Sequence, residues 1–393
     1  MGGESPIGRI ERVDALRGYA LMGLFLVHMV EYYELYWASP KPSPIFDALF
    51  ALFAGKTFSL LALCFGFSFW VIMEGAARKG ADFSLRFAWR LLLLAGIGWL
   101  HSLVYRGDII VTLALAGFLL IPLNRIRSTA VLTVIAGFMF LQPILIVQLL
   151  AALDGAAWAL APPNFFTDPT MPVYLTGSFG EVLSANLWAG QAPKFWYYFE
   201  TGRASQIVGL YITGLLLGRA GFFADPDRFR RSRLVALLIA AASVAAIWAG
   251  RDAIAGALGL AAEMPQRRVL DFLLSSYQGL AATALSALLF LMVWQSRAGA
   301  VLKPLAPFGR MTLTFYVGQS LVFVPIFYGF GLALYRELGS AEALGIGLVA
   351  VVAQLVMARL WLARFAYGPL EWVWRALTWL SRDVPFRRKA AAT

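Results

Sequence analysis

The chain has 393 residues, 60% of them hydrophobic and only 14% charged, with a net charge of +11 and a mean hydropathy of +0.71. Soluble domains carry about 25% charged residues, so this composition excludes an ordinary soluble enzyme, a disordered chain and a nucleic-acid binder. A single cysteine, Cys64, excludes a disulfide framework and a Cys-based zinc site, and two histidines in the whole chain leave no metal site to expect.

Apolar runs near 20 residues, bounded by charge, Pro or Gly, fall at 15–36, 46–74, 87–104, 109–122, 129–150, 204–219, 234–250, 270–295, 311–335 and 341–363. They predict an all-α, polytopic transmembrane bundle of about ten spans, a single domain over 1–393 embedded in a lipid bilayer. With the N-terminus inside, 22 Lys and Arg, from Arg9 to Lys389, fall in inside segments and 8 in outside segments. That asymmetry predicts both termini on the cytoplasmic side. Basic residues precede the first run, but Glu31-Tyr-Tyr-Glu34 follows it in place of a small-residue cleavage site, so it reads as an uncleaved span.

The first span carries Asp14, Arg17, His28 and Glu31. Ionisable groups inside a membrane are costly unless paired or facing water, so each is a functional candidate. Asp14 and Arg17 are three apart and can pair on one face. Arg17 and His28 are eleven apart, about three helical turns or roughly 16 Å, so they project from one side at opposite depths. Arg17 read as snorkelling and His28 as one interhelical hydrogen bond would explain both without function. Lys56 opens the second span at the outer side, and Arg86 and Arg90 open the third at the inner side, where positive-inside topology alone explains them.

His101 ends the third span and Asp108 opens the fourth, joined by an Arg106-Gly107 turn. Asp108 can cap the fourth helix. It can also reach back to His101 as an orienting carboxylate, fixing the tautomer and raising the basicity of the imidazole. Orientation thus collects both histidines, Glu31, Lys56 and Asp108 at one depth. The long connection 151–203 is placed outside, with an interfacial helix and aromatic belt over 179–199. The ninth span carries Thr312, Tyr316 and Gln319 as a polar stripe, which serves helix–helix hydrogen bonding or a substrate path. The tail, 366–393, reads as a cytoplasmic interfacial segment whose short amphipathic helix begins at Pro369 and holds Glu371 and Arg375 as an i, i+4 ion pair. There is no Walker motif, G-x-S-x-G, Rossmann fingerprint or metal-ligand pair.

Four segments together carry a resemblance: Val13-Asp-Ala-Leu-Arg-Gly-Tyr-Ala-Leu21, Gly98 to Ile110 with its His and Gly-Asp-Ile, Gly309-Arg-Met-Thr-Leu-Thr-Phe-Tyr-Val-Gly-Gln-Ser320, and Tyr367-Gly-Pro-Leu-Glu-Trp-Val-Trp-Arg-Ala-Leu-Thr378. In this order they resemble the YeiB family of bacterial multi-pass inner-membrane proteins, a domain of unknown function. That family is similar in turn to transmembrane acyltransferases of the acyltransferase-three and heparan glucosaminide acetyltransferase types. The acyltransferase-three proteins carry Arg, ten residues and His in the first helix, a spacing Arg17 and His28 reproduce. The YeiB pattern has Asn more often than His at that position, so His28 departs toward the more distant group, whereas His101 fits the nearer one.

The resemblance implies acyl transfer from a cytoplasmic acyl-CoA co-substrate, with no bound cofactor, to an extracytoplasmic acceptor such as a glycan or lipid-linked hydroxyl or amine. His101, His28 and Asp108 are then the catalytic candidates. Arg17, Asp14, Lys56, Arg86, Arg90, Tyr316 and Gln319 are the binding candidates. A small-solute transporter or channel, which would consume no thioester, is the rival class.

Overall fold

The computed structural model describes residues 10–388 apart from Thr167 and Pro226. Arg9 and Lys389, counted above toward orientation, lie outside the described residues. Among those residues there is no strand, only an isolated bridge between Phe365 and Arg387.

The chain begins with α1 (Glu11–Val30), α2 (Pro44–Phe53), α3 (Lys56–Ala77) and α4 (Ser84–Val104). A broken segment follows as α5 (Ile110–Gly117) and α6 (Leu120–Arg125), and a second as α7 (Thr129–Phe140) and α8 (Pro143–Leu153). The connection folds as four short helices, α9 (Ala157–Leu160), α10 (Met171–Thr176), α11 (Phe179–Leu187) and α12 (Gln191–Glu200). Then come α13 (Arg203–Arg219), α14 (Arg230–Ala257), α15 (Pro265–Gln295), α16 (Leu305–Arg310), α17 (Thr312–Phe327), α18 (Ser340–Arg364) and α19 (Pro369–Trp379).

Among the described residues, seven segments are long and apolar enough to cross a membrane, with 110–125 and 312–327 as shorter apolar helices. Each run expected from the sequence is mostly helical, but five are interrupted. The 15–36 run leaves the α-helix at Val30, and the 109–122 run breaks at Phe118-Leu119. The 46–74 run breaks at Ala54-Gly55, where Gly55 takes a positive φ. The 129–150 run breaks at Gln142, in the left-handed region before Pro143, because a following proline disfavours α geometry. The 311–335 run stops at Phe327, two residues after Pro325, which cannot donate to the helix ladder.

Burial sorts the helices into a centre and a rim. The apolar window of α1 is 83% buried and that of α14 only 11%, so α1 is the core element and α14 presents Leu238, Ile239 and Trp248 outward. Around α1 pack α2, α3, α16, α17 and α18, while α13 lies along α3 and α4 holds α5 and α19. Close approach depends on glycine. A Cβ on Gly66 would sit 2.2 Å from the Tyr211 carbonyl oxygen, and one on Gly214 2.2 Å from that of Leu63, which lets α3 and α13 touch backbone to backbone.

The connection is closed on itself and tied to α4. Glu200 accepts hydrogen bonds from the Asn164 backbone at 2.8 Å and its side-chain amide at 2.6 Å, and Asn186 donates to the Leu103 carbonyl at 2.9 Å. The helix expected over 179–199 is two helices, α11 and α12; Trp188, Trp196 and Phe199 are exposed, whereas Tyr198 is turned into the core.

Candidate functional site

The site is built where α4 ends. His101 lies in the last turn of α4, and the chain reverses through Tyr105–Ile109 into α5. The reversal sets the Nδ1 of His101 2.8 Å from the Oδ1 of Asp108, with both side chains essentially inaccessible. Asp108 Oδ2 accepts from the Val111 backbone N–H at 2.9 Å, so the carboxylate also caps α5. A carboxylate accepts only, so the imidazole must hold its proton on Nδ1, which leaves the Nε2 lone pair available. Nε2 is buried and has no hydrogen-bond partner. A buried polar atom in that state requires a reason, and an incoming donor supplies one.

Two residues that sequence reasoning did not join to this pair complete its surroundings. Lys194, on α12, brings its ammonium 4.0 Å from Asp108 Oδ2; burial pulls its pKa down while Asp108 and Glu34 pull it back up. Tyr316 accepts from the Ile109 backbone N–H at 3.1 Å and sets its ring 5.2 Å from that of His101. Lys194 was legible only as one outside charge in an aromatic stretch.

His28 lies in the same aromatic cluster. Its ring is 5.3 Å from those of Tyr33 and Tyr105, and Tyr105 is 6.2 Å from His101. Glu31, the neighbour of His28 in sequence, instead accepts from Trp37 Nε1 at 2.8 Å. Above the cluster, Arg106 is held between Glu34 at 2.7 Å and Asp168, so the connection seals this end of the bundle.

Toward the end where α1 begins, a cavity of about 290 Å³ opens among α1, α3, α4, α5, α16, α17 and α19. Arg17, Arg90, Arg310 and Glu371 supply its charges, and Tyr316 and Ile109 lie at its wall toward the His101–Asp108 pair. Arg17 donates to Asp14 at 3.0 Å and to Ser68. The Arg90 guanidinium lies 3.6 Å over the Trp374 ring. Arg310 was seen in the sequence only as an inside charge.

Other sequence candidates fall elsewhere. Arg86 stacks 4.8 Å over Trp379 and does not line the cavity. Lys56 donates to the Phe50 carbonyl at 3.2 Å. Gln319 donates to Gln354 at 2.7 Å, joining α17 to α18. Neither imidazole lines the cavity.

The expected Glu371–Arg375 pair is corrected by the fold. Glu371 accepts from the Leu313 and Thr314 backbone N–H groups at 2.7 and 3.1 Å and from the Thr314 hydroxyl, whereas Arg375 lies 5.0 Å over the Tyr367 ring. Free N–H groups at a buried helix start are strong donors, and a surface i, i+4 pair contributes only about 0.3–0.5 kcal/mol. Burial raises the Glu371 pKa, and these donors offset part of the rise. Glu371→Ala, leaving three donors unmatched, should cost about 1–3 kcal/mol. It should release α19, read as faster proteolysis beyond residue 366 and a lower Tm; Glu371→Gln should be milder. Unchanged proteolysis in the Ala variant would show that Glu371 does not anchor the tail.

Residues 217–381 match the family described as "Protein of unknown function (DUF418)". The chain is 26% identical to the uncharacterized protein YxaH of Bacillus subtilis (strain 168), over 95% of each chain. It is 24% identical to the uncharacterized protein YeiB of Escherichia coli (strain K12), over 93% of this chain and 95% of that one. It is also 24% identical to an uncharacterized 39.9 kDa protein in the amylase 3′ region of Bacillus acidopullulyticus, over 98% and 97% of the two chains.

Proposed function

We propose an activity for this chain, which belongs to the YeiB family of unknown function: it transfers an acyl group from a cytoplasmic acyl-CoA to a hydroxyl or amine acceptor on the opposite side of a bacterial inner membrane. The observation that carries the reading is the buried His101–Asp108 pair with its unpartnered Nε2, adjoining the wall of a cavity lined at its far end by three arginines.

In this reading the acyl-pantetheine arm enters the cavity and its phosphates lie by Arg17, Arg90 and Arg310, whose planar forks suit phosphate oxygens. At about 290 Å³ the cavity suits a slender arm and not a whole nucleotide. His101 Nε2 takes the proton of the acceptor hydroxyl, the oxygen attacks the thioester carbonyl, and the C–S bond breaks. The imidazolium returns its proton to the departing thiolate. Asp108 holds the imidazolium while it is charged. Tyr316 stands between the cavity and His101 and must turn aside for the thioester to arrive. The hydrogen bond of Gln319 to Gln354 accounts for that residue of the polar stripe by helix packing, whereas Thr312 and Tyr316 line the cavity.

The test is consumption of acetyl-CoA by purified protein with a polyol acceptor. Arg310→Gln and Arg90→Gln should raise the KM for acetyl-CoA about tenfold with kcat little changed, the pattern for lost uniform binding. A chain that moves solute into vesicles and releases no free CoA would sink the reading.

A further inference from the structure

We propose that α3, α8 and α13 form an anion site for a phosphate group where their N-termini meet, separate from the His101 pair and independent of acyl transfer. Each of these helices begins without a side-chain cap. Their N-cap residues Gly55, Gln142 and Gly202 all have positive φ, at 75°, 59° and 74°. None of the three helices has an acidic residue in its first turn. An uncapped start leaves backbone N–H groups free and carries about half a positive charge.

The ends are brought together by direct contact. A Cβ on Gly55 would lie 2.8 Å from Arg203 Nη2, so the guanidinium rests on the start of α3. A Cβ on Gly202 would lie 2.3 Å from Gln142 Oε1, so the start of α13 lies against the start of α8.

Two observations point to an occupant. Gln142 is completely buried, and neither its oxygen nor its nitrogen has a hydrogen-bond partner. An amide buried away from water costs free energy unless a ligand or solvent meets it. Moreover, the first residues of α3 and α13 are cations, Lys56 and Arg203, where the helix dipole disfavours positive charge. The Arg203 guanidinium rests against Gly55, the residue next to Lys56, so the two cations share the start of α3. Among the described residues neither has a carboxylate within ion-pair distance; the nearby acid, Glu31, is held by Trp37. Arg203 is steadied by the Tyr197 hydroxyl at 3.0 Å and by the Phe58 and Tyr197 rings, which places the guanidinium without neutralising it. Three helix starts, two cations and an amide donor match a tetrahedral oxyanion. Chloride could balance the charge but would leave the Gln142 amide and most N–H groups unmatched.

The phosphate belongs either to a phospholipid headgroup or to a soluble phosphorylated compound, and the experiment separates these. Full-length protein, stripped of lipid in detergent, is melted with inorganic phosphate against chloride at equal ionic strength. It is also melted with added phosphatidylglycerol against a neutral glycolipid. A rise in Tm of roughly 2 °C or more with either phosphate source supports the site and identifies the source. The rise should vanish in Lys56→Gln and in Gln142→Leu, and without phosphate Lys56→Gln should melt no lower than wild type because a cation–dipole repulsion is gone. Arg203→Gln adds a third arm, though lost ring contacts can lower its starting Tm. No rise over chloride in the wild type, or an undiminished rise in both Lys56→Gln and Gln142→Leu, overturns the proposal.

Discussion

Replacing His101 by Ala should abolish the proposed acetyl-CoA consumption while the protein still folds and enters the membrane. Of the two imidazoles, that of His101 is the one with a carboxylate at hydrogen-bond distance, Asp108 at 2.8 Å, and its second nitrogen is buried without a partner. Loss of a positioned general base costs typically 10²–10⁴-fold in rate. Asp108→Asn keeps an oxygen that can cap Val111 but removes the charge that stabilises the imidazolium, so its activity should fall between those of His101→Ala and wild type. His28→Asn should keep a measurable share, because His28 makes ring contacts with Tyr33 and Tyr105 and has no carboxylate partner. The ranking is read at matched expression. A dead His28→Asn beside a near-normal His101→Ala would move the base to α1.

Gly309→Val should prevent accumulation of folded protein. A Cβ at Gly309 would stand 1.8 Å from the Asp14 carbonyl oxygen, and one at the facing Gly18 2.1 Å from that of Leu305. The obstruction is backbone on the central helix, which no rotamer change relieves. Overpacking of a tight core costs about 1–3 kcal/mol and more where backbone blocks relaxation. The clash also pushes α16 away from Asp14 and Arg17, so any surviving protein should lose cavity function as well. Gly75→Val is the control, because nothing lies within 4 Å of a Cβ there. Equal monodisperse yields for the two variants would show that the α1–α16 contact is not required.

What the sequence determined by itself is what is local along the chain. Long apolar runs make helices whatever their neighbours, because an unpaired backbone in hydrocarbon is too costly. Asp14 and Arg17 pair because three residues put them on one face. Asp108 meets His101 because a turn at Gly107 returns the chain within seven residues.

Tertiary structure decided what hydropathy cannot express. An apolar run states that a helix is buried in lipid or protein but not which side faces which neighbour. Lys194 reaches Asp108 from α12, Tyr316 reaches Ile109 from α17, and Arg310 joins Arg17 and Arg90 across α16, all over long sequence separations. Glu371 had a sequence-local cation in Arg375, yet it bonds to the start of α17. Buried N–H groups without a helical partner gain more from a carboxylate than a solvated guanidinium does, and only the folded chain brings those groups within reach.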